Sequence, residues 1–502
     1  MDIGTFFHYF FNLDPVHTST GNLPHGLEWI DGLRMVIRVL IGVFSILLVV
    51  PPLVWWERRL LGWMQQRQGP NRVGPFGLLQ TIADGLKLLF KEDMNPTNVD
   101  KTLFVMAPII FLIPSLVTAA VVPWNKSYTW GAAAPNVSVG VLYMLAWSSL
   151  AVYGVVLAGW SSNNKYSLLG GLRSSAQLIS YELGMGLAIM AVVLMTGSLS
   201  MQEIVKHQGY FQITPLLTHY GIAAPEWNVF KFFPMGFIAA LIYIISMLAE
   251  TNRAPFDLPE AETELVAGYH TEYTSMKFAT FFLGEYANMV VVSAIAASLF
   301  FGGYLAPIPW LNELPGFIVR LYEFNAAGAR DIGHWGVPWL TLIVNSLIPV
   351  VWLTVKILAG LYFFIWIRAT LPRLRYDMLM KFGWQGILPI ALVNIVLLAI
   401  GIVLHETYGF LGYLASAALA FIVYGIILVA FAKSKPSQMF VKNSRRAGTI
   451  QLTSGAVPYR VVAEHSGYGA QTLPPDAKIG GFPDASTERE ATALHEALST
   501  KG

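Results

Sequence analysis

Residues 232–273 read FFPMGFIAALIYIISMLAETNRAPFDLPEAETELVAGYHTEY. Positions 232–249 carry no charge. As a helix they come close to the roughly 20 residues that a bilayer core requires. Positions 250–273 then hold six acids, Glu250, Asp257, Glu260, Glu262, Glu264 and Glu272, against a single arginine, Arg253. The chain turns apolar again over 278–301, FATFFLGEYANMVVVSAIAASLFF. A dense acidic segment between two apolar runs implies a chain that crosses a membrane and holds its acid beside it.

The rest of the sequence agrees. The 502 residues are 55% apolar and 12% charged, with a mean hydropathy of +0.54. Soluble domains carry about 25% charge. Nine apolar runs have membrane-spanning length: 33–56, 102–122, 138–160, 175–197, 230–249, 278–303, 337–367, 386–405 and 409–432. The expected fold is an all-α polytopic membrane protein. It has about nine spans, or eight if the last two form a shallow hairpin. The seventh run is long enough to tilt or project. Three parts follow: an external segment 1–32, a transmembrane part 33–432, and a hydrophilic extension 433–502. The first 32 residues lack Lys and Arg, so they offer no basic region of a cleavable signal.

Charge sets the expected orientation. Seven Lys and Arg follow the first span, four follow the seventh, and nine lie after Ala432. One follows the second span, and none follows the eighth. The positive-inside rule places the N-terminus outside and the odd loops and the tail in the cytoplasm. Arg34 and Arg38, near the outer end of the first span, run against the rule. The basic loops face an anionic membrane surface, which accounts for them without nucleic acid.

The first cytoplasmic loop breaks twice at Gly and Pro, in GPNRVGPFG (69–77), which predicts an irregular path. Over 78–91, Leu78, Leu79, Ile82, Leu86 and Leu89 share a helical face, with Asp84, Lys87 and Lys91 off it. This stretch is too short to span and reads as an amphipathic helix on the membrane surface. The tail is basic, then Pro/Gly-rich, and reads as weakly ordered or docked on a partner. Thr487 and Glu490 have the spacing that opens a short closing helix.

Ionisable groups inside spans mark function, because lipid makes charge costly. Glu182, Glu285 and Lys356 are the three candidates. Both acids fall about seven residues past the cytoplasmic starts of their runs, where burial favours the neutral carboxyl. Arg253 lies one turn beyond Glu250, so the two are expected to pair. Pro255 and Pro259 end the helix, and Glu260, Glu262 and Glu264 alternate on an extended path. The bland reading of each group is an interhelical hydrogen bond or a solvated acidic loop. His270 and His405 read as structural or surface histidines. No metal-ligand spacing, P-loop or dinucleotide fingerprint occurs. With no cysteine, a Cys-ligated iron–sulfur cluster and a disulfide are both excluded.

Together with the acidic segment, three further stretches carry a resemblance. They are ERRLLGWMQQRQGPNRVGPFGLLQTIADGLKLLFKED (57–93), GWSSNNKYSLLGGLRSSAQLISYEL (159–183) and FFIWIRATLPRLRYDMLMKFGW (363–384). Over about 33–405 the chain resembles the H-subunit family of proton-pumping NADH:quinone oxidoreductase, respiratory complex I, the counterpart of mitochondrial membrane subunit 1. The tail beyond 433 departs from that family's short end.

The resemblance implies a translocase component of the cell inner membrane with no redox centre or metal of its own. Quinone would be the substrate, while FMN and iron–sulfur clusters reside in partner subunits. Those partners are peripheral quinone-site subunits and antiporter-like membrane subunits, with lipid around them. It further implies that Arg58, Arg67, Asp84, Lys87, Arg253, Asp257, Arg368 and Arg373 line or brace a quinone tunnel. Glu182, Glu250, Glu260, Glu262, Glu264 and Glu285 would form a proton or charge relay into the membrane arm. A membrane subunit of an energy-converting hydrogenase or ferredoxin-linked complex shares the spans and the acidic loop. The combination of QGPNRVGPFGLLQ (68–80) with ETNRAPFDLPEAE (250–262) favours the quinone enzyme. A lone secondary transporter lacks support, since no inverted repeat with broken helices is evident.

Overall fold

The computed structural model describes residues 28–124, 137–211, 224–257, 267–307, 337–433, 456–458 and 478–480. Helices dominate, as an apolar chain in lipid must satisfy its backbone within each segment. In order they are α1 (Glu28–Met64), α2 (Gln80–Phe90), α3 (Lys101–Thr118), α4 (Gly140–Ser161), α5 (Lys165–Thr196), α6 (Met201–Lys206), α7 (Met235–Glu250) and α8 (Ser275–Phe300). They continue with α9 (Val337–Thr370), α10 (Tyr376–Lys381), α11 (Leu388–Tyr408) and α12 (Phe410–Lys433). A π turn at Phe382–Ile387 joins α10 to α11 without a break.

Among the described residues seven helical stretches are long and apolar enough to cross a membrane. They are Lys101–Val121, Gly140–Ser161, Lys165–Thr196, Ser275–Phe300, Ile348–Thr370, Tyr376–Tyr408 and Phe410–Ala430. The first and fifth sequence runs correspond to α1 and α7. The 37-residue α1 carries Glu57, Arg58 and Arg59 near its end, while α7 has only 16 residues. At 1.5 Å per residue α7 is about 24 Å long, shorter than the bilayer core. Hydropathy starts the fourth run at 175; α5 begins ten residues earlier, at Lys165. Asn164 starts it there, its Oδ1 accepting from the Tyr166 amide at 3.0 Å.

The chain divides into two units, Met1–Ala420 and Phe421–Gly502. In the first, α3 packs on α4, α4 on α5, and α5 on α7 and α11, while α8 packs on α3 and α9. Two-thirds of the α8 span is buried, which makes it the central helix of this unit. Small residues permit the close crossings, as expected where lipid removes the hydrophobic drive between helices. Gly159 of α4 lies against Gly171 of α5. Gly170 of α5 lies against the backbone of Gly268, where a Cβ would stand 2.6 Å from Cα. Phe104, Phe111, Val155, Leu178, Tyr269, Tyr273 and Phe281 form a core there, with Phe104 stacked on Tyr273 at 4.1 Å.

The irregular path between α1 and α2 is present: Gln66, Gly74, Phe76 and Gly77 all have positive φ. The four leucines and one isoleucine of the 78–91 face are each about half exposed. In the second unit, Ala456–Pro458 pairs antiparallel with Lys478–Gly480. The expected closing helix near Thr487 lies outside the described residues, as does most of the tail.

Candidate functional site

The segment after α7 is drawn into the protein rather than left in solvent. Thr251, Asn252, Arg253, Ala254, Phe256 and Asp257 are all buried. Gln177 of α5 holds this turn, its Nε2 donating at 2.8 Å to both Ala249 O and Phe256 O. Leu374, ahead of α10, donates its amide to Pro255 O at 3.0 Å. Glu260, Glu262 and Glu264 lie outside the described residues.

Arg253 does not pair with Glu250. Its Nη1 lies 3.6 Å from Oε1 of Glu57, an α1 residue outside the candidates that sequence alone supplies. Arg368, at the end of α9, bonds the same oxygen. Tyr286 of α8 adjoins the Glu57 carboxylate, and the Arg253 guanidinium lies 4.2 Å above the Tyr286 ring. Glu57 sits just beyond the apolar run of α1. Burial alone would raise its carboxyl; the charges of Arg253 and Arg368 outweigh burial and hold it below the ordinary glutamate range. Burial opposes the charge on Arg253, but Tyr286 and Glu57 favour it, and the guanidinium stays charged. One acid and two arginines thus join α1, the post-α7 turn and α9. Glu57 had a signal, an acid opening a basic stretch at the end of an apolar run, but its partners lie far away in sequence.

Two more expected residues meet nearby. Arg373 pairs with buried Asp257 at 3.2 Å. Arg58 pairs with Asp84 of α2, and Gln80 also donates to Asp84, at 3.1 Å. Arg67 bonds Gln65 at 2.7 Å in the irregular loop, and Lys87 is exposed on α2. Arg58 and Asp84 thus join α1 to α2 at the surface, while Arg67 and Lys87 are not brought to them, and none of the four pairs with Glu57 among the described residues.

The acids expected to form a relay divide as well. Glu182 and Glu250 share the wall of one cavity of about 40 Å³, with Tyr243, Ser148, Ser115, Thr118 and Asn288. That space holds a water molecule or a few. Ser148 donates to Glu182 Oε1 at 3.0 Å, and Ser149 donates to the same oxygen. Glu250 Oε2 is buried with no hydrogen-bond partner among the described residues. Because α5 starts early, Glu182 lies seventeen residues into its helix rather than seven. Glu285 lies elsewhere on α8, buried beside Tyr269 and His270, which is itself buried and not a surface histidine. Glu272 accepts from Asn164 Nδ2 at 2.7 Å and so braces the start of α5. Lys356 donates to Gly303 O at 2.8 Å and Leu305 O at 2.6 Å beside Trp227, far in sequence from the acids.

Known proteins share this sequence over most of its length. The NADH dehydrogenase family model matches residues 37–399. The second H subunit of NADH-quinone oxidoreductase from Koribacter versatilis is 45% identical over 73% of this chain and 96% of its own. The H subunit of the same enzyme from Rickettsia rickettsii is 47% identical, and that from Rickettsia bellii 48%, each over 72% of this chain and 92% of theirs. The family match stops within α11, so α12 and the tail lie beyond it. With most of its length matched and its relatives covered almost end to end, the chain belongs to the NADH dehydrogenase family, among the H subunits of NADH-quinone oxidoreductase.

Proposed function

We propose that this chain helps form the tunnel through which quinone reaches its reduction site, and that its glutamates pass the resulting charge change into the membrane arm. The observation that carries the reading is the shared cavity of Glu182 and Glu250. Two carboxyl groups facing one small, mostly apolar space cannot both ionise cheaply, so a change at one is felt at the other. Water in that space offers a proton path between them. The Glu57–Arg253–Arg368 cluster supplies the other end. It holds fixed charge where the acidic segment leaves α7, close to where an anionic quinone species would act on it.

In this reading Arg58, Arg67, Asp84 and Lys87 brace the tunnel mouth at the surface, while Asp257 and Arg373 brace its inner wall. Glu260, Glu262 and Glu264 continue the relay to Glu285. Quinone is substrate, FMN and iron–sulfur clusters belong to partner subunits, and the complex sits in the cell inner membrane. The N-terminus is outside and the C-terminus cytoplasmic.

The test uses sealed membranes holding the assembled complex. Glu182→Gln and Glu250→Gln should each abolish proton pumping coupled to quinone-linked NADH oxidation, while Glu182→Asp keeps a measurable part. NADH oxidation by an artificial acceptor should survive in all three. Wild-type pumping in both Gln variants would refute the relay.

A further inference from the structure

The turn Gly268–His270 follows the acidic segment directly and is fully buried. His270 Nδ1 lies 3.0 Å from the Ala267 carbonyl oxygen. A carbonyl only accepts, so Nδ1 carries the hydrogen. In the neutral ring Nε2 is then a bare lone pair. It is buried, has no hydrogen-bond partner among the described residues, and faces Glu285 Oε1 at 3.8 Å. An imidazole lone pair and a carboxylate oxygen are both acceptors, and neither has solvent to turn to: the side chains are 3% and 4% exposed. One proton between them turns that contact into a hydrogen bond, as imidazolium with carboxylate or as imidazole with carboxylic acid.

We infer that His270 and Glu285 are a proton-sharing pair at the point where the acidic segment rejoins α8, with His270 as the positioning partner that accepts the Glu285 proton. The exchange is balanced in itself. The proton leaves the Glu285 hydroxyl, joins Nε2, and leaves a carboxylate facing an imidazolium. Tyr269 holds the oxygen in place by donating to Oε1 at 3.2 Å. Phe278, Phe281 and Phe282 surround the imidazole with ring centroids 5.8–6.2 Å away and keep water out. The helices packed on this turn reach it and the adjoining Tyr273 through Ser167 and Gly170 of α5 and Ser161 of α4, which carry no charge. Arg253 is the cation whose charge reaches Glu285.

This inference rests on the relay reading, and the experiment separates the two. In membranes holding the assembled complex, His270→Gln keeps a polar side chain of similar reach but cannot carry the proton. Quinone-linked NADH oxidation should fall about tenfold or more, the scale of a lost proton-transfer partner. Its pH profile should lose a limb, artificial-acceptor oxidation should stay normal, and His270→Gln/Glu285→Gln should be no slower than Glu285→Gln alone. Wild-type turnover and pH profile in His270→Gln, with Glu285→Gln impaired, would overturn the pair and leave the relay standing. Wild-type behaviour of Glu285→Gln would overturn both. If His270→Gln lowers artificial-acceptor oxidation as well, the wild-type complex with ring-labelled histidine decides. In infrared difference spectra taken on quinone reduction at fixed pH, the labelled imidazolium band should rise as a buried carboxylic-acid band falls, and Glu285→Gln should remove both changes. A change in the imidazolium band with no opposite change in the carboxylic-acid band would refute the pair.

Discussion

Arg253, one helical turn after Glu250 in the sequence, makes its ion pair with Glu57 of the first helix instead. Arg368 holds the other side of the same carboxylate. Glu57 is thereby the one acid of a three-residue cluster among the described residues, buried with Arg253 while the Arg368 side chain is about one-third exposed, and each partner depends on it.

Glu57→Gln leaves two guanidinium groups facing each other in a site with little solvent. Removing one member of a buried pair costs about 3–5 kcal/mol. We expect a lower Tm of the assembled complex and loss of quinone-linked turnover. The double variant Glu57→Gln/Arg253→Gln should recover part of the stability, since it removes one of the two opposed cations. A thermal melt of the three purified complexes checks this.

The same cluster has a pH signature. The folded Glu57 carboxyl is held below its unfolded value. Its stabilising contribution is complete above the unfolded range, near 4.3 for a free glutamate. It is lost as pH falls through the lowered folded value. The wild-type complex should lose stability steeply on the acid side, and Glu57→Gln should show a shallower acid limb. Melting temperatures measured at stepped pH below neutrality give the comparison.

Replacing Gly170 with Ala should harm assembly rather than chemistry. The added Cβ would stand 2.6 Å from the Gly268 backbone, which has no flexible end to move aside. Overpacking of this kind costs about 1–3 kcal/mol. Reduced amounts of complex with normal turnover per complex are expected, measured by quantifying assembled enzyme against its quinone-linked rate.

On α2, Ile82 and Leu86 are each about half exposed. Leu86→Glu should leave the protein folded but lift this helix from the lipid interface. Quinone-linked oxidation should fall most at low concentrations of a hydrophobic quinone. A KM rise with kcat little changed would fit a tunnel mouth; equal loss at all concentrations would argue against it.

Orientation is open to labelling, since the chain has no native cysteine. His207, just after α6, is exposed, so His207→Cys serves as the outer probe. An impermeant thiol reagent added to intact cells should label it. Glu92→Cys, exposed between α2 and α3, should be protected until the cells are opened. The reverse pattern would invert the topology.

What the sequence determined by itself was the local and the periodic. Apolar runs of spanning length, the amphipathic 78–91 stretch and the Gly/Pro breaks each follow from forces acting within a few turns of chain. The helices therefore appear where hydropathy places them, apart from their ends. Capping chemistry moved those ends: Asn164 starts α5 ten residues before its apolar run and carries Glu182 deeper into the helix. The acidic segment was legible as unusual for the same reason, since charge beside lipid must have partners.

Which partners it has, only the tertiary structure decided. Glu57 meets Arg253 and Arg368, Glu182 meets Glu250 across a cavity, and His270 meets Glu285, all through helix packing. Spacing along the chain paired Arg253 with Glu250 because a helical turn brings near neighbours together. In the folded protein α7 ends at Glu250, the turn after it is pulled into the protein by Gln177, and Arg253 points toward α1. Electrostatic partners are chosen by distance in space, and in a bundle of long helices that distance is set by small residues such as Gly170 and Gly268, where two segments remote in sequence touch.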